Sequence, residues 1–346
     1  MPKNAKTILF YLGHPAHYHN VKNLSKRLFN EENKVIYVAR SKEVLFELIE
    51  EVPYKVYKLS KRKGNSKLSL FIEIIKRLML LNSIIKKEKP QVMVGTDIVI
   101  MMLGKWKHIK TIMLNEDDAS AVPYLAKYGM KYADIVASPN CCNIGTYEYK
   151  KAGYNGYHEL AYLHPDVFKA NENILDKYEI KKPFFLLRFS GLSAHHDKGI
   201  KGIEKHQALE IINYLSTIGK VFISSEKYME PELEKFRINI HPKDMHDILS
   251  FSNMLISDSQ TMTAEAAVLG VPSVRISDFK GKLSYLEELE NQYQLTFGFK
   301  PVDFDKAFEK IKALAKEDLK IFKLKNKKML ENSENVNELW YNLIIK

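Results

Sequence analysis

The chain has only two cysteines in 346 residues, Cys141 and Cys142, and they are adjacent. Neither a disulfide framework nor a four-ligand zinc site can be assembled from that pair. Long apolar runs are missing as well: no uninterrupted stretch approaches the ~20 residues that a membrane-spanning helix needs. The opening residues, MPKNAKTILFYLG, set a basic tail before a short apolar strand and run on into His-rich polar sequence. That is not the pattern of a cleaved secretory signal, and the chain reads as cytoplasmic. Zinc-finger spacing, a basic helix leading into heptads and an aromatic RNA-recognition segment are all lacking, so nucleic acid is not expected as a partner.

What is present in excess is positive charge. Lys and Arg number 53 against 42 Asp and Glu, a formal net charge of +11. Such a balance points to an anionic partner, of which phosphorylated small molecules and an acidic membrane surface are two classes. The composition, 45% hydrophobic and 27% charged, is that of an ordinary globular protein, and the length suits two domains with full cores.

Apolar strand-like runs alternate with helical periodicity from the N-terminus. They comprise a strand over 7–12, a helix over 20–29, a strand over 34–39, a helix over 42–50 and a strand over 55–59. Past a basic loop, 61–67, come a helix to Lys87 and strands at 92–95, 111–114 and 135–137. A second series begins after Pro183, with strands at 184–189, 220–224, 238–240 and from Leu255, and helices at 203–217, 231–236 and 245–251. This alternation predicts βαβ units and parallel sheets. The expected architecture is α/β, with two Rossmann-like, doubly wound domains over 1–160 and 175–303 facing an interdomain cleft. A charged helical segment, 304–346, is expected to pack back toward the first domain through Trp340 and Tyr341. In open parallel sheets ligands lie beyond the carboxyl ends of the strands, so residues just after the strands are the candidates for chemistry.

The most informative such place is 254–276, MLISDSQTMTAEAAVLGVPSVRI. An apolar strand runs into the turn Asp258-Ser259-Gln260, and a helix opens with Thr261, Met262 and Thr263. A helix N-terminus offers unpaired backbone N–H groups and a favourable dipole, which suits a phosphate. Glu265, four residues after Thr261, is placed one helical turn inside, within reach of a sugar hydroxyl. The plainer reading is a capped, buried helix with Glu265 on its wet side.

Gly13-His14-Pro15-Ala16-His17-Tyr18-His19-Asn20 follows the first strand. Histidine exchanges protons near neutral pH, so His17 is a candidate general base and Gly13 and His14 belong to the same turn; His14 and His19 can equally cap or pack. No carboxylate at ligand spacing accompanies them, and no metal site is expected. Asp97 and Glu116, with Asp117 and Asp118, follow two further strands and can orient hydroxyls or act as bases, or merely cap helices. In the second half Arg188 leads a polar loop with Ser190, Gly191, His195, His196 and Asp197, suiting a diphosphate; Arg275 is a competing cation or the neutraliser of a nearby acid. The apolar helix from Ser69, with lysines before and after, suits an anionic membrane or a buried crossover.

With G-H-P-A-H-Y-H-N at 13–20, Y-H-E-L-A-Y-L-H-P at 157–165, A-H-H-D at 194–197, P-K-D-M-H-D-I-L at 242–249 and S-D-S-Q-T-M-T-A-E-A-A-V-L-G-V-P at 257–272, the chain resembles the uncharacterised DUF354 family. That family is similar to GT-B glycosyltransferases and to UDP-N-acetylglucosamine 2-epimerases. The resemblance implies that Glu265 binds the nucleotide ribose and that Ser259, Gln260, Thr261 and Met262 hold the donor diphosphate. It sets His17 near a histidine of the transferases' first glycine-rich turn. It also sets Asp97 and Glu116 near active-site acids of the epimerases and His195 near a substrate-binding histidine. The epimerases carry Ser-Gly-Gly where this chain has Ser259-Gln260-Thr261.

The reading that follows is a metal-independent GT-B-type glycosyltransferase of surface polysaccharide or glycolipid synthesis. It would use a nucleotide-sugar, UDP-linked, as substrate rather than cofactor, and a glycan or lipid-linked acceptor, with peripheral contact to the inner face of the cytoplasmic membrane. The alternatives are a UDP-N-acetylhexosamine 2-epimerase and a non-catalytic nucleotide-sugar or nucleic-acid binder.

Overall fold

A computed structural model of the chain describes residues 5–40, 43–59, 67–189, 203–225 and 229–346. The chain divides into two compact units, Met1–Tyr162 with Ser333–Lys346, and Leu163–Asn332.

The first unit is built from β1 (Thr7–Leu12), α1 (Pro15–Asn30), β2 (Lys34–Arg40), α2 (Glu43–Leu48), β3 (Lys55–Leu59) and α3 (Lys67–Glu88). It continues with β4 (Val92–Gly95), α4 (Ile98–Lys107), β5 (Lys110–Leu114), α5 (Pro123–Leu125), β6 (Ile135–Pro139), β7 (Lys151–Tyr154) and α6 (Leu160–Leu163), the last crossing the unit boundary. The strands form one parallel sheet in the order β3-β2-β1-β4-β5-β6-β7. A strand covered on both faces needs an unbroken apolar run, and β1 meets this: Ile8 to Leu12 are all buried. α1 begins five residues before the expected start, because Pro15 takes the first helical turn and the His14 side chain caps it.

The second unit contains α7 (Ile174–Lys177), β8 (Phe184–Arg188), α8 (Lys205–Leu215), β9 (Lys220–Ser224), α9 (Pro231–Glu234), α10 (Met245–Phe251) and β10 (Met254–Ser257). Then follow α11 (Gln260–Val268), β11 (Ser273–Ile276), α12 (Ser284–Asn291), β12 (Thr296–Phe299), α13 (Phe304–Leu314) and α14 (Leu319–Glu331). Its parallel sheet has the order β12-β11-β10-β8-β9. Residues 238–240, expected as a strand, are irregular, and only Arg237 makes a bridge, to Ile223. Ile238 and Ile240 instead pack against the core around Leu186, Ile248 and Leu255, which accounts for their apolar character.

The helical segment expected over 304–346 divides. α13 and α14 belong to the second unit, where Asn326 donates to the carbonyls of Ala267 and Val268 at the end of α11. The last helix, α15 (Val336–Ile345), packs on α1 in the first unit. Trp340 is buried there edge-on to Tyr154 and His158, and Arg27 lies 3.5 Å above the Tyr341 ring.

Candidate functional site

Strand order reverses between β1 and β4 in the first sheet and between β8 and β10 in the second, and it is beyond the carboxyl ends flanking such a reversal that open α/β sheets bind ligands. In the second unit these ends are Arg188 and Ser257-Asp258-Ser259. Register aligns Ser224, Arg188, Ser257 and Arg275 across four neighbouring strands, so their side chains share one face of the sheet.

The turn after β10 is held by its own hydroxyls. Ser257 Oγ donates to the Arg188 carbonyl at 2.9 Å and accepts from the Ser259 N–H at 2.9 Å. Ser259 caps α11, its Oγ accepting from the Met262 N–H at 3.4 Å, and Thr263 Oγ1 donates back to the Ser259 carbonyl at 2.6 Å. Gln260 and Thr261 therefore open α11 on a fixed turn, one residue earlier than expected, and the Gln260 amide reaches Ser277 Oγ at 3.4 Å. From Thr263 to Val268 the helix is buried, as its alanines dictate. Gly270 follows at φ +69°, a left-handed conformation that suits glycine, and a Cβ there would come 3.0 Å from that of Asn326.

Arg188 is half-buried and donates to Ser224 Oγ at 3.1 Å. Arg275 is fully buried near Glu287 and Glu290, and burial lowers its pKa, so the neutralising role fits it better than a diphosphate. Glu265 is not on a wet face. Its side chain is 6% exposed, and Oε1 accepts from His246 Nε2 at 3.0 Å. His246 was not singled out in the sequence; the signal was the unexplained motif at 242–249.

In the first unit Gly13, His14 and His17 follow β1. His14 Nδ1 accepts from the Ala16 N–H, and His17 Nδ1 accepts from the Gly13 N–H, both at 3.2 Å. An accepting Nδ1 leaves the proton of the neutral His17 ring on Nε2, so there the ring donates. Taking up a proton as a base requires the Gly13 contact to break. His19 is buried and stacks on Tyr162 at 5.3 Å.

Asp97 caps α4, Oδ1 accepting from the Val99 N–H at 2.8 Å, while Oδ2 pairs with Arg77 at 3.2 Å. Burial raises its pKa, with Arg77 opposing. Beyond β5, Asp117 is likewise raised, by burial and then by Asp118. Asp118 is buried and accepts from the Asn143 N–H. Glu116, 18% exposed at the side chain, has Oε2 3.5 Å from His158 Nδ1, which also meets the Asn20 amide at 3.3 Å. That contact is no ion pair: burial, then repulsion from His17, pushes the His158 pKa down to about 3, so the ring is neutral. Cys142, held by Cys141 and by burial well above the thiol range, donates to the Glu116 carbonyl and is structural.

Thus Ser259, Gln260, Thr261 and Met262 form the start of α11, just beyond β10 and beside the β8 strand that ends in Arg188, while Glu265 lies one turn further along, buried against His246 of α10. Gly13, His14, His17, Asp97 and Glu116 stand at the carboxyl edge of the first sheet. Ser190, Gly191 and His195 lie outside the described residues.

The family model described as a protein of unknown function, DUF354, matches residues 7–293. No curated protein matches the chain. The fold is similar to that of the UDP-GlcNAc 2-epimerase from Neisseria meningitidis bound to UDP-GlcNAc, at 16% identity and TM-score 0.66, covering 95% of both chains. It is similar to that of the UDP-GlcNAc 2-epimerase from Methanocaldococcus jannaschii, at 13% identity and TM-score 0.64, over 90% of this chain and 93% of that one. The spinosyn forosaminyltransferase SpnP aligns at 12% identity and TM-score 0.65, over 99% of this chain and 100% of the other. The two parallel sheets with flanking helices therefore make a GT-B-like, two-domain α/β fold with C-terminal helices.

Proposed function

The chain belongs to the DUF354 family, whose description assigns no activity, and from the strand-end geometry we propose that it is a GT-B-type glycosyltransferase. It moves a sugar from a nucleoside diphosphate, UDP first among them, to a hydroxyl of a glycan or lipid-linked acceptor in surface polysaccharide synthesis. The observation that carries this reading is the locked Ser257-Asp258-Ser259 turn at the N-terminus of α11, in register with Arg188 where the strand order reverses. A diphosphate there meets the opening N–H groups of α11, those of Gln260 and Thr261, together with a helix dipole and a guanidinium.

In the transfer, the acceptor oxygen bonds to the anomeric carbon and the bond to the diphosphate breaks, its electron pair leaving with the phosphate. The charge that develops is met by α11 and Arg188, so the step calls for no divalent cation. The hydroxyl proton passes to a carboxylate. Asp97 is committed to its cap and to Arg77, and His17 presents Nε2–H, so Glu116 is assigned the base. A lipid-linked acceptor at the inner face of the cytoplasmic membrane is supported by the outer face of α3. There Ile72, Ile75, Met79 and Leu80 are exposed beside Lys76, Lys86 and Lys87.

One observation favours the second reading, a UDP-N-acetylhexosamine 2-epimerase: Asp97 and Asp117, after adjacent strands, both have pKa values raised by burial, which suits proton removal and return at carbon. Proton NMR of the protein with UDP-GlcNAc in D2O separates the two. Transfer needs an added acceptor and leaves the C2 proton in place. Epimer or free ManNAc carrying deuterium at C2, formed without acceptor, would sink the transferase reading.

A further inference from the structure

We propose that His246 is the positioning residue that sets Glu265 to read the ribose of the bound nucleotide; this rests on the nucleotide-sugar reading above. His246 is the second residue of α10, which packs against α11. It is buried, like Glu265, and its Nε2–H donates to Oε1 at 3.0 Å. A carboxylate removed from water requires a donor, and here the donor comes from a neighbouring helix rather than from solvent. A carboxylate has roughly four acceptor positions, and the His246 bond to Oε1 fixes its rotation, so a ribose hydroxyl that donates to Glu265 is met in one defined direction.

The surrounding motif, PKDMHD at 242–247, has the build of a mount. Asp244 accepts from Lys177 Nζ and from the Tyr178 hydroxyl, both at 2.6 Å, and Asp247 accepts from the Asn171 N–H at 2.7 Å. The acids on either side thus tie the start of α10 to the chain around α7. The His246 ring stands edge-on to Phe168, centroids 6.4 Å apart. Helix position, ring plane and carboxylate orientation are fixed in series, which is how a hydroxyl-reading group keeps its aim.

The consequence is discrimination between ribose and 2′-deoxyribose. Calorimetry would compare UDP, GDP and CDP, each with its 2′-deoxy form, on the full chain and on Glu265→Gln, His246→Leu and His246→Gln. The native chain should prefer the ribonucleotide about tenfold, as one charge-assisted hydrogen bond allows. Glu265→Gln and His246→Leu should both bring that ratio toward one, whereas His246→Gln, whose amide nitrogen stands where Nε2 stood, should keep most of it. If the leucine variant does not fold, His246→Asn, with an amide too short to reach Glu265, tests the same bond. A ratio unchanged in His246→Leu or Asn but lost in Glu265→Gln overturns the role of His246, as does an equal loss of both nucleotides. A native chain that binds none of the six overturns the nucleotide-sugar reading itself, and one that binds without preferring ribose overturns only the ribose-reading role.

Discussion

A histidine sealed away from water gives up its charge, and His158 does so beside Glu116, with a pKa pushed down to about 3 by burial and by His17. In the unfolded chain the same imidazole titrates at its ordinary value near 6.5. Between those values the unfolded state binds the proton and the folded state does not, so the contribution to stability is whole above about 6.5 and is lost as pH falls toward 3. Urea unfolding at a series of pH values should show stability declining by up to a few kcal/mol across that window, since each tenfold change in proton affinity is worth about 1.4 kcal/mol. In His158→Gln that part of the slope should vanish; a slope identical to the native one would mean the ring is solvated. His158 and His246 fall in motifs visible along the chain, at 157–165 and 242–249, but their roles do not follow from local order. Their partners, Asn20 and Glu265, stand 138 and 19 positions away, so only the folded sheets bring them together. The caps were legible for the opposite reason: His14, Asp97 and Ser259 each bond an N–H two or three residues on, and such a contact is written in local order.

Helix α4 fixes how the ends of β4 and β5, and so Asp97 and Glu116, stand to one another. It does this by close approach: a Cβ on Gly104 would lie 2.1 Å from Thr111 Cγ2 and 2.9 Å from Met93 Cε. Gly104→Ala gains about 1 kcal/mol of intrinsic helix propensity, yet it must push the helix off the sheet, and overpacking of that kind costs about 1–3 kcal/mol. The expected result is net destabilisation in urea unfolding. Gly13→Ala, where the nearest atoms would be 3.7 Å away, should be almost neutral by the same measurement. A more stable Gly104→Ala would refute the close packing. Elements of this kind were readable where periodicity was long and pure: the helix expected over 245–251 has those bounds, and β1 to β6 of the first sheet lie on the expected apolar runs. β7 and β12 escaped because each has only four residues and a central glycine, Lys151–Tyr154 and Thr296–Phe299, and gains its pairing from neighbours already in place.

At the scale of the molecule, βα alternation was enough to give two doubly wound halves, since parallel strands require the crossover helices that the sequence visibly supplies. The C-terminal helices were read only in part: Trp340 lies in the first unit against Tyr154, as expected, but α13 and α14 join the second, where Asn326 meets the end of α11 through a contact between distant parts of the chain. The excess charge, +11 in all, meets exposed apolar side chains on α3, where Met79 and Leu80 are 61% and 47% exposed with lysines on the same face. Among the described residues no helix is long and apolar enough to cross a membrane. An exposed apolar stripe beside lysines has a use at a bilayer surface, where insertion of the stripe and attraction to anionic headgroups act together. Co-sedimentation should therefore retain the protein on phosphatidylglycerol-containing vesicles, release it as salt approaches about 0.5 M, where screening shortens the electrostatic reach to a few ångströms, and leave it unbound to pure phosphatidylcholine. Met79→Glu with Leu80→Glu should weaken retention without lowering the thermal midpoint, because both side chains already face water and the substitution removes insertion while leaving the lysines in place. Retention that follows salt alone and ignores the two glutamates would assign the surface to bulk charge and take away the support that α3 gives to a lipid-linked acceptor.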